Sequence, residues 1–277
     1  MTQIAHLSDF HLLDDGHAAR RGRDRLRLSF LSFGRPRDHH DRRRRALHAL
    51  VDARRSGAQH LVLTGDLTEE GLPAQFEVLG EVLRESGWQP ARVTLVPGNH
   101  DAYAGERAWS EALAGPLAAY HPTSIPGVPV QLAGAVLLPL STAVHQPVMR
   151  SAGAIAEGEL RAASAAASDS KGRGTPLLVA MHHPPGRHPV PGMHWIDGLE
   201  DHAAIGAILD RHDHVHVLHG HTHVARERGV RPGGAPRIFS TEAVVESEEP
   251  LRVYRVESGR VMPRPMPAGG ALALAPA

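Results

Sequence analysis

The sequence predicts a layered α/β fold, and three features predict it. Short apolar runs recur along the chain, longer amphipathic stretches lie between them, and five of the six main runs end in a cluster of Asp, His, Asn or Gly. The runs at residues 3–8, 61–64, 93–96, 136–140, 177–181 and 215–218 are read as buried strands. Residues 41–56 are read as a helix, with Ala46, Leu47, Leu50 and Val51 on one face and Gly57 just past its end. Residues 73–85 are read as a second helix, which opens on Pro73 and repeats Phe76, Leu79, Val82 and Leu83. Residues 106–120, 157–167 and 201–210 carry fainter helical patterns. The end of the chain differs. Residues 238–240 and 251–256 read as strands joined by a turn, and residues 263–277, rich in Pro, Ala and Gly, read as a loosely attached tail.

Composition narrows the function classes. The chain has 277 residues, 42% hydrophobic and 22% charged, which suffices for one large domain over residues 1–262. Thirty basic residues balance thirty acidic ones, so there is no chain-wide basic footprint for a nucleic-acid polymer. With no cysteine, disulfides, thiolate metal sites and cysteine nucleophiles are excluded. No apolar run reaches the length of a membrane span. The first strand begins at once, with no basic leader and apolar core before it, so the cytoplasm is the expected compartment. The count of 21 histidines invites a search for a metal site, histidine being the commonest metal ligand.

One segment stands apart. Residues 17–45 hold eleven arginines against three aspartates, with Leu26, Leu28, Phe30, Leu31 and Phe33 among them. Three readings stay open: a solvated helix face, a clamp for an anionic substrate, or a basic amphipathic element on an anionic membrane surface. After residue 186, Trp195 stands in a loop and reads as a stacking partner or as ordinary packing.

The residues that end the strands carry the chemistry. They are Asp9-Phe10-His11, Gly65-Asp66, Gly98-Asn99-His100-Asp101, His182-His183-Pro184-Pro185 and Gly220-His221-Thr222-His223. Ligands of open α/β sheets bind beyond the carboxyl ends of the strands, so these five clusters converge on one place. Period-two alternation puts Asp9 with His11, and His221 with His223, on a common side. Gly65, Gly98 and Gly220 permit tight turns and close backbone approach. Carboxylate, amide oxygen and imidazole suit hard or borderline divalent cations. Two such cations about 3.5–4 Å apart need a shared carboxylate between them. Taken singly, each cluster has a bland reading: a polar loop, a turn asparagine, or one core and one exposed histidine at His182-His183. Five in order at five strand ends favour one dinuclear site.

The ordered set resembles the calcineurin-like metallophosphoesterases, and within them the bacterial branch of class III cyclic-nucleotide phosphodiesterases and glycerophosphodiesterases. It spans about residues 4–224 with all five motifs intact. The resemblance implies a sandwich of two mixed β-sheets flanked by helices. It implies that Asp9, His11, Asp66 and His223 hold one metal and that Asp66, Asn99, His182 and His221 hold a second, with Asp66 shared. It places His100 over the substrate and has Asp101 orient it. Two divalent ions are implied, manganese or iron before zinc. The implied reaction is hydrolysis of a small phosphodiester by a hydroxide held between the metals. Alternatives are a pyrophosphatase of a nucleotide-linked lipid, a phosphomonoesterase and a non-catalytic scaffold. The expected partners are a small phosphoester and, through residues 20–45, an anionic membrane.

Overall fold

The computed structural model describes residues 2–190, 192–257 and 259–264. In chain order, β1 (Thr2–Leu7) leads to α1 (Gly22–Leu31), α2 (His39–Arg55), β2 (His60–Thr64), α3 (Pro73–Glu85), β3 (Val93–Val96) and α4 (Ala108–Ala114). Then follow β4 (Val130–Leu132), β5 (Ala135–Pro139), α5 (Glu157–Gly172), β6 (Leu177–Ala180), α6 (His194–Asp197), α7 (His202–Arg211) and β7 (Val215–His219). The chain closes with β8 (Arg226–Gly229), β9 (Pro236–Ser240), β10 (Arg252–Glu257) and β11 (Arg260–Pro263). No helix among the described residues is long and apolar enough to cross a membrane.

The strands form two mixed sheets, ordered β11-β10-β1-β2-β3 and β4-β5-β6-β7-β9-β8. In each sheet the central strands are parallel and the antiparallel strands lie toward the edges. The sheets pack face to face. Ile4, Val62 and Val96 of the first meet Leu137, Leu178, Leu218 and Phe239 of the second. The alternate residues face outward onto helices. Ala5, Leu7, Leu61, Leu63 and Leu95 pack with Leu50 of α2 and Phe76, Leu79 and Leu83 of α3. Leu138, Val179 and Val217 pack with Ala163 and Ala167 of α5 and Leu209 of α7. The central strands are thus buried on both faces, which is why they read as continuous apolar runs. Each fully buried Leu or Val contributes about 1.5–3 kcal/mol.

The structure corrects several expectations. The strands expected at 238–240 and 251–256 do not pair through a turn: β9 is parallel to β7 in the second sheet, whereas β10 is antiparallel to β1 in the first. The helix expected over 106–120 is broken into α4 and a 3-10 turn at Ala118–Thr123, with Pro116 between them, a residue that has no N–H for the helix. Pro263, expected as the first residue of a loose tail, pairs with Tyr254 in the first sheet. Residues 265–277 lie outside the described residues.

The arginine-rich segment 17–45 is not a solvated face throughout. The Asp38 side chain caps α2, accepting from His40 N (2.9 Å) and Asp41 N (3.2 Å). Four residues on, Arg42 is wholly buried. Its Nε donates to the Pro36 carbonyl (2.6 Å) and its Nη1 to the His11 carbonyl (2.6 Å), while the guanidinium pairs with Glu69. Arg35 donates to the other Glu69 oxygen (2.7 Å). Arg20 pairs with Asp14 and Glu70. These arginines answer buried carboxylates of the loop after β2.

Arg42→Ala removes one partner of a buried ion pair and leaves Glu69 with Arg35 alone. Loss of one buried partner is worth about 3–5 kcal/mol. Urea unfolding should show a loss of that order; one below about 1 kcal/mol would mean that the pair does not support the fold.

Candidate metal centre

The loops leaving β1 and β2 stay zipped beyond the sheet. Asp9 N donates to the Gly65 carbonyl (3.0 Å) and His11 N to the Asp66 carbonyl (2.9 Å). Across the sandwich, the His182 imidazole Nδ1 donates to the Thr64 carbonyl (2.7 Å), and His221 N donates to Asp9 Oδ2 (3.2 Å). The ends of both sheets therefore open onto one place, as the sequence predicts.

Backbone strain is concentrated there. Among the described residues, the non-glycine residues with positive φ are Asp9, His11, Asp66, His221 and His223, at 49° to 69°. All five are sequence-predicted site residues. Such a conformation costs on the order of 1–3 kcal/mol each and persists where its surroundings hold it. The glycines do the complementary work. A Cβ at Gly65, where φ is +91°, would stand 2.5 Å from His182 Nδ1 and 2.8 Å from Gly98 Cα. A Cβ at Gly98 would fall on the Asp66 backbone and carboxylate, and one at Gly220 on the Ser8 hydroxyl.

Three groups of donor atoms gather within 4.8 Å of one another: Asp9 with His11 and His223, Asp9 with Asp66 and His182, and His11 with Asp66 and His100. Asp66 Oδ2 lies 3.4 Å from His182 Nε2, 3.8 Å from His11 Nε2 and 3.9 Å from His100 Nε2. His223 Nε2 lies 3.3 Å from Asp9 Oδ1. Asn99 joins through its Oδ1, 3.2 Å from His182 Nε2, while its amide nitrogen donates to the Tyr103 hydroxyl (3.1 Å).

Outer partners orient the imidazoles. His223 Nδ1 donates to Glu246 (3.1 Å) and His100 Nδ1 to the Glu69 carbonyl (2.7 Å). With Nδ1 so engaged, Nε2 points into the cluster, the usual arrangement of a metal-binding histidine. His183 has no such freedom. Its Nε2 donates to the Ser151 carbonyl (2.7 Å) and its Nδ1 sits 2.7 Å from the Thr142 hydroxyl, so His182 is the member of the pair that faces the cluster.

Two residues sit otherwise than expected. Asp101 does not reach the His100 ring. Its carboxylate accepts from Leu67 N (3.1 Å), Thr68 N (2.8 Å), the Thr68 hydroxyl (2.7 Å) and Gly98 N (2.8 Å). It clamps the β2 loop to the β3 loop, and the Glu69 carbonyl orients His100 instead. Burial, and then Asp66 nearby, push the Asp101 carboxyl up to about 6. His221 stands beside His182 but lies outside the three donor groups, because its Nε2 meets Asp197 Oδ1 (3.0 Å). Nδ1 is then the atom it can offer a cation. Glu69, Glu246, Asp197 and Tyr103 were not singled out from sequence. Glu69 lies three residues after Asp66 and Tyr103 two residues after Asp101, so both stand beside a motif.

The donor set fits divalent cations. Asp9 Oδ1 and both ring nitrogens of His11 are buried without a hydrogen-bond partner. Orphaned buried polar atoms of this kind are rare and mark a missing partner. The electrostatics agree. Burial lowers the His182 imidazole, but Asp66 and Asp9 outweigh it and raise it to about 9. Asp9 and Glu246 likewise overcome burial and raise His223 to about 10. Burial would lift the Asp66 carboxyl, yet His182 and His100 hold it well below the usual range. The site thus attracts positive charge strongly. Oxygen and imidazole donors without sulfur suit metals of the manganese, iron and zinc type.

Comparison with known proteins follows this geometry. A sequence profile of the calcineurin-like phosphoesterases matches residues 2–225. A probable cyclic nucleotide phosphodiesterase of Synechococcus sp. is 28% identical over 229 residues, 82% of this chain and 75% of that protein. A dimetal phosphatase from Danio rerio superposes with a TM-score of 0.65 at 17% identity and covers 92% of both chains. A protein of Thermus thermophilus superposes at 0.52 with 11% identity, covering 95% of this chain and 98% of that one. The structural likenesses carry the fold.

Gly98→Ala should disorganise the centre, since its methyl group would displace Asp66. Elemental analysis should find bound metal reduced by about tenfold or more at fixed chelator concentration, in line with the effect of disturbed ligand orientation. Full retention of metal would show that the close approach of Gly98 and Asp66 is not required.

Proposed function

Because the chain belongs to the calcineurin-like phosphoesterases, and is on that account a metal-dependent phosphoric ester hydrolase, we propose that it cleaves a small phosphodiester, a cyclic nucleotide or a close relative of one. The name of the Synechococcus relative supports this reading. The observation that carries it is an indole at the rim. Trp195 is 68% exposed, and the Arg150 guanidinium lies over its ring, 5.1 Å from the centroid. Both are tied to the centre. The Tyr103 hydroxyl, which accepts from Asn99, donates to the Arg150 carbonyl (3.1 Å). The Ser151 hydroxyl donates to the same Asp197 carboxylate that meets His221 (2.5 Å). An exposed indole backed by a guanidinium is a stacking platform for a nucleobase.

Charge also favours a diester. Arg35 and Arg42 near the cluster are both held by Glu69 and Arg150 by Glu200, so none of these three guanidiniums is left unpaired to meet a second phosphate charge. A monoanionic diester suits such a site better than a dianionic monoester.

Asp9, His11, Asp66 and His223 would hold one cation, and Asp66, Asn99, His182 and His221 a second, with manganese or iron as the proposed metals. When bound, such cations acidify water and neutralise phosphoryl oxygens. His100 acts on the leaving group. The Glu69 carbonyl holds its Nδ1 proton, so proton exchange is confined to Nε2. Burial lowers its pKa against the pull of Asp66 and Glu69.

Elemental analysis with hydrolysis of bis-p-nitrophenyl phosphate against p-nitrophenyl phosphate tests the proposal. About two metals per chain with diester preference is expected; turnover of the monoester alone would refute the diester reading. His100→Ala should lower kcat by about 100- to 10,000-fold with metal content unchanged. Metal lost together with activity would make His100 a ligand instead. Trp195→Ala should raise KM for a cyclic nucleotide by roughly tenfold or more at unchanged kcat, the worth of one base stack. An unchanged KM would remove Trp195 from the site.

A further inference from the structure

Helix α1 divides its apolar residues between two faces. Leu28 and Leu31 turn inward and are buried, and Arg27 Nη2 donates to the Tyr103 carbonyl (2.9 Å), which fixes the helix beside the metal centre. Leu26 and Phe30, at i and i+4, share the opposite face, and Phe33 follows in the turn just beyond the helix end. They are 71%, 49% and 88% exposed, so the stripe meets solvent along its whole length. Arg21, Arg23, Arg25 and Arg37 stand exposed around it. The other arginines of the segment are held by carboxylates, whereas among the described residues no ion pair engages these four; Arg21 donates to the Ala18 and Arg20 carbonyls and Arg37 to the Ser29 hydroxyl.

We propose that this face of α1 docks on an anionic lipid bilayer, with Leu26, Phe30 and Phe33 entering the acyl boundary and the four arginines meeting lipid headgroups. An exposed apolar stripe rimmed by cationic side chains is the pattern of an interfacial helix, and its charge is complementary to an anionic surface. A second copy of this chain fits worse, since a symmetric contact would set the same four arginines against themselves. A nucleic acid would satisfy the arginines and leave the apolar stripe in water. The attachment is peripheral: α1 rests on the protein through Leu28 and Leu31 and needs no refolding to bind.

Flotation of the full chain with vesicles tests the proposal. Vesicles of phosphatidylglycerol and phosphatidylcholine in equal parts should carry the protein at low salt, pure phosphatidylcholine should not, and added salt should weaken the binding. Combined Leu26→Ser, Phe30→Ser and Phe33→Ser substitution should reduce the bound fraction by roughly tenfold or more. Arg23→Ser with Arg25→Ser should weaken it and flatten its salt dependence. The thermal midpoint should hold in both variants, because none of these side chains is buried. Absence of anionic vesicle binding at low salt would overturn the proposal, as would equal binding by the triple variant. Should the triple variant abolish self-association or binding to duplex DNA while vesicle binding is absent, the stripe belongs to that partner instead.

Discussion

Two carboxylates, Asp9 and Asp66, are buried beside each other at the edge where the sheets open, and the local structure answers that constraint. Like charges in a low-dielectric interior repel, and neither can regain water. The chain supplies imidazoles from the opposite sheet, backbone N–H groups from His100 and His221, and open positions for cations. It also accepts left-handed backbone at five non-glycine residues so that the side chains can converge. Gly65, Gly98 and Gly220 have no Cβ because each would intrude on a neighbouring loop of the site.

A second layer of charge lies beneath. Glu69 is buried between Arg35 and Arg42, with its carboxylate 3.7 Å from His11 Nδ1 and 3.7 Å from His100 Nδ1. The His11 and His100 imidazoles stand between the Asp66 and Glu69 carboxylates, and the guanidiniums lie beyond. Burial and then Arg35 hold the His11 imidazole well below its ordinary pKa. The neutral ring is the form a cation binds. Much of a segment that reads as a basic surface is therefore a support for the reacting centre. The arginines left over, around Leu26, Phe30 and Phe33, are those that the interior does not need.

The central strands were legible because burial on both faces leaves an unbroken apolar signature, and the five clusters were legible because each follows such a strand. Other features left no local mark. Strand β8 is Arg-Glu-Arg-Gly, an edge ladder fixed by pairing with β9 rather than by its own pattern. The short segment between β9 and β10 looks like a turn, but it crosses from one sheet to the other. The family resemblance implies that Asp101 orients His100. In the 3-10 turn their side chains diverge, and Asp101 grips the backbone of a loop more than thirty residues earlier. Asp197 at the end of α6 and Glu246 after β9 meet His221 and His223 from more than twenty residues away, so no spacing could announce them.

The division of donors between the sheets has a mechanical meaning. The loops after β1, β2 and β3 bring Asp9, His11, Asp66, Asn99 and His100, whereas those after β6 and β7 bring His182, His221 and His223. Each proposed metal takes ligands from both sheets, so a bound cation braces the sandwich across the edge where apolar packing stops. The brace and the hydrophobic layer are not interchangeable. The layer of Ile4, Val62, Leu178, Leu218 and Phe239 sets the distance between the sheets, and a close-packed interior yields little to a change in volume. Donor atoms of the two sheets thereby reach one another, His182 Nε2 at 3.4 Å from Asp66 Oδ2 and His223 Nε2 at 3.3 Å from Asp9 Oδ1. The folding free energy of the sandwich thus sets the arrangement of donors that each proposed cation would meet.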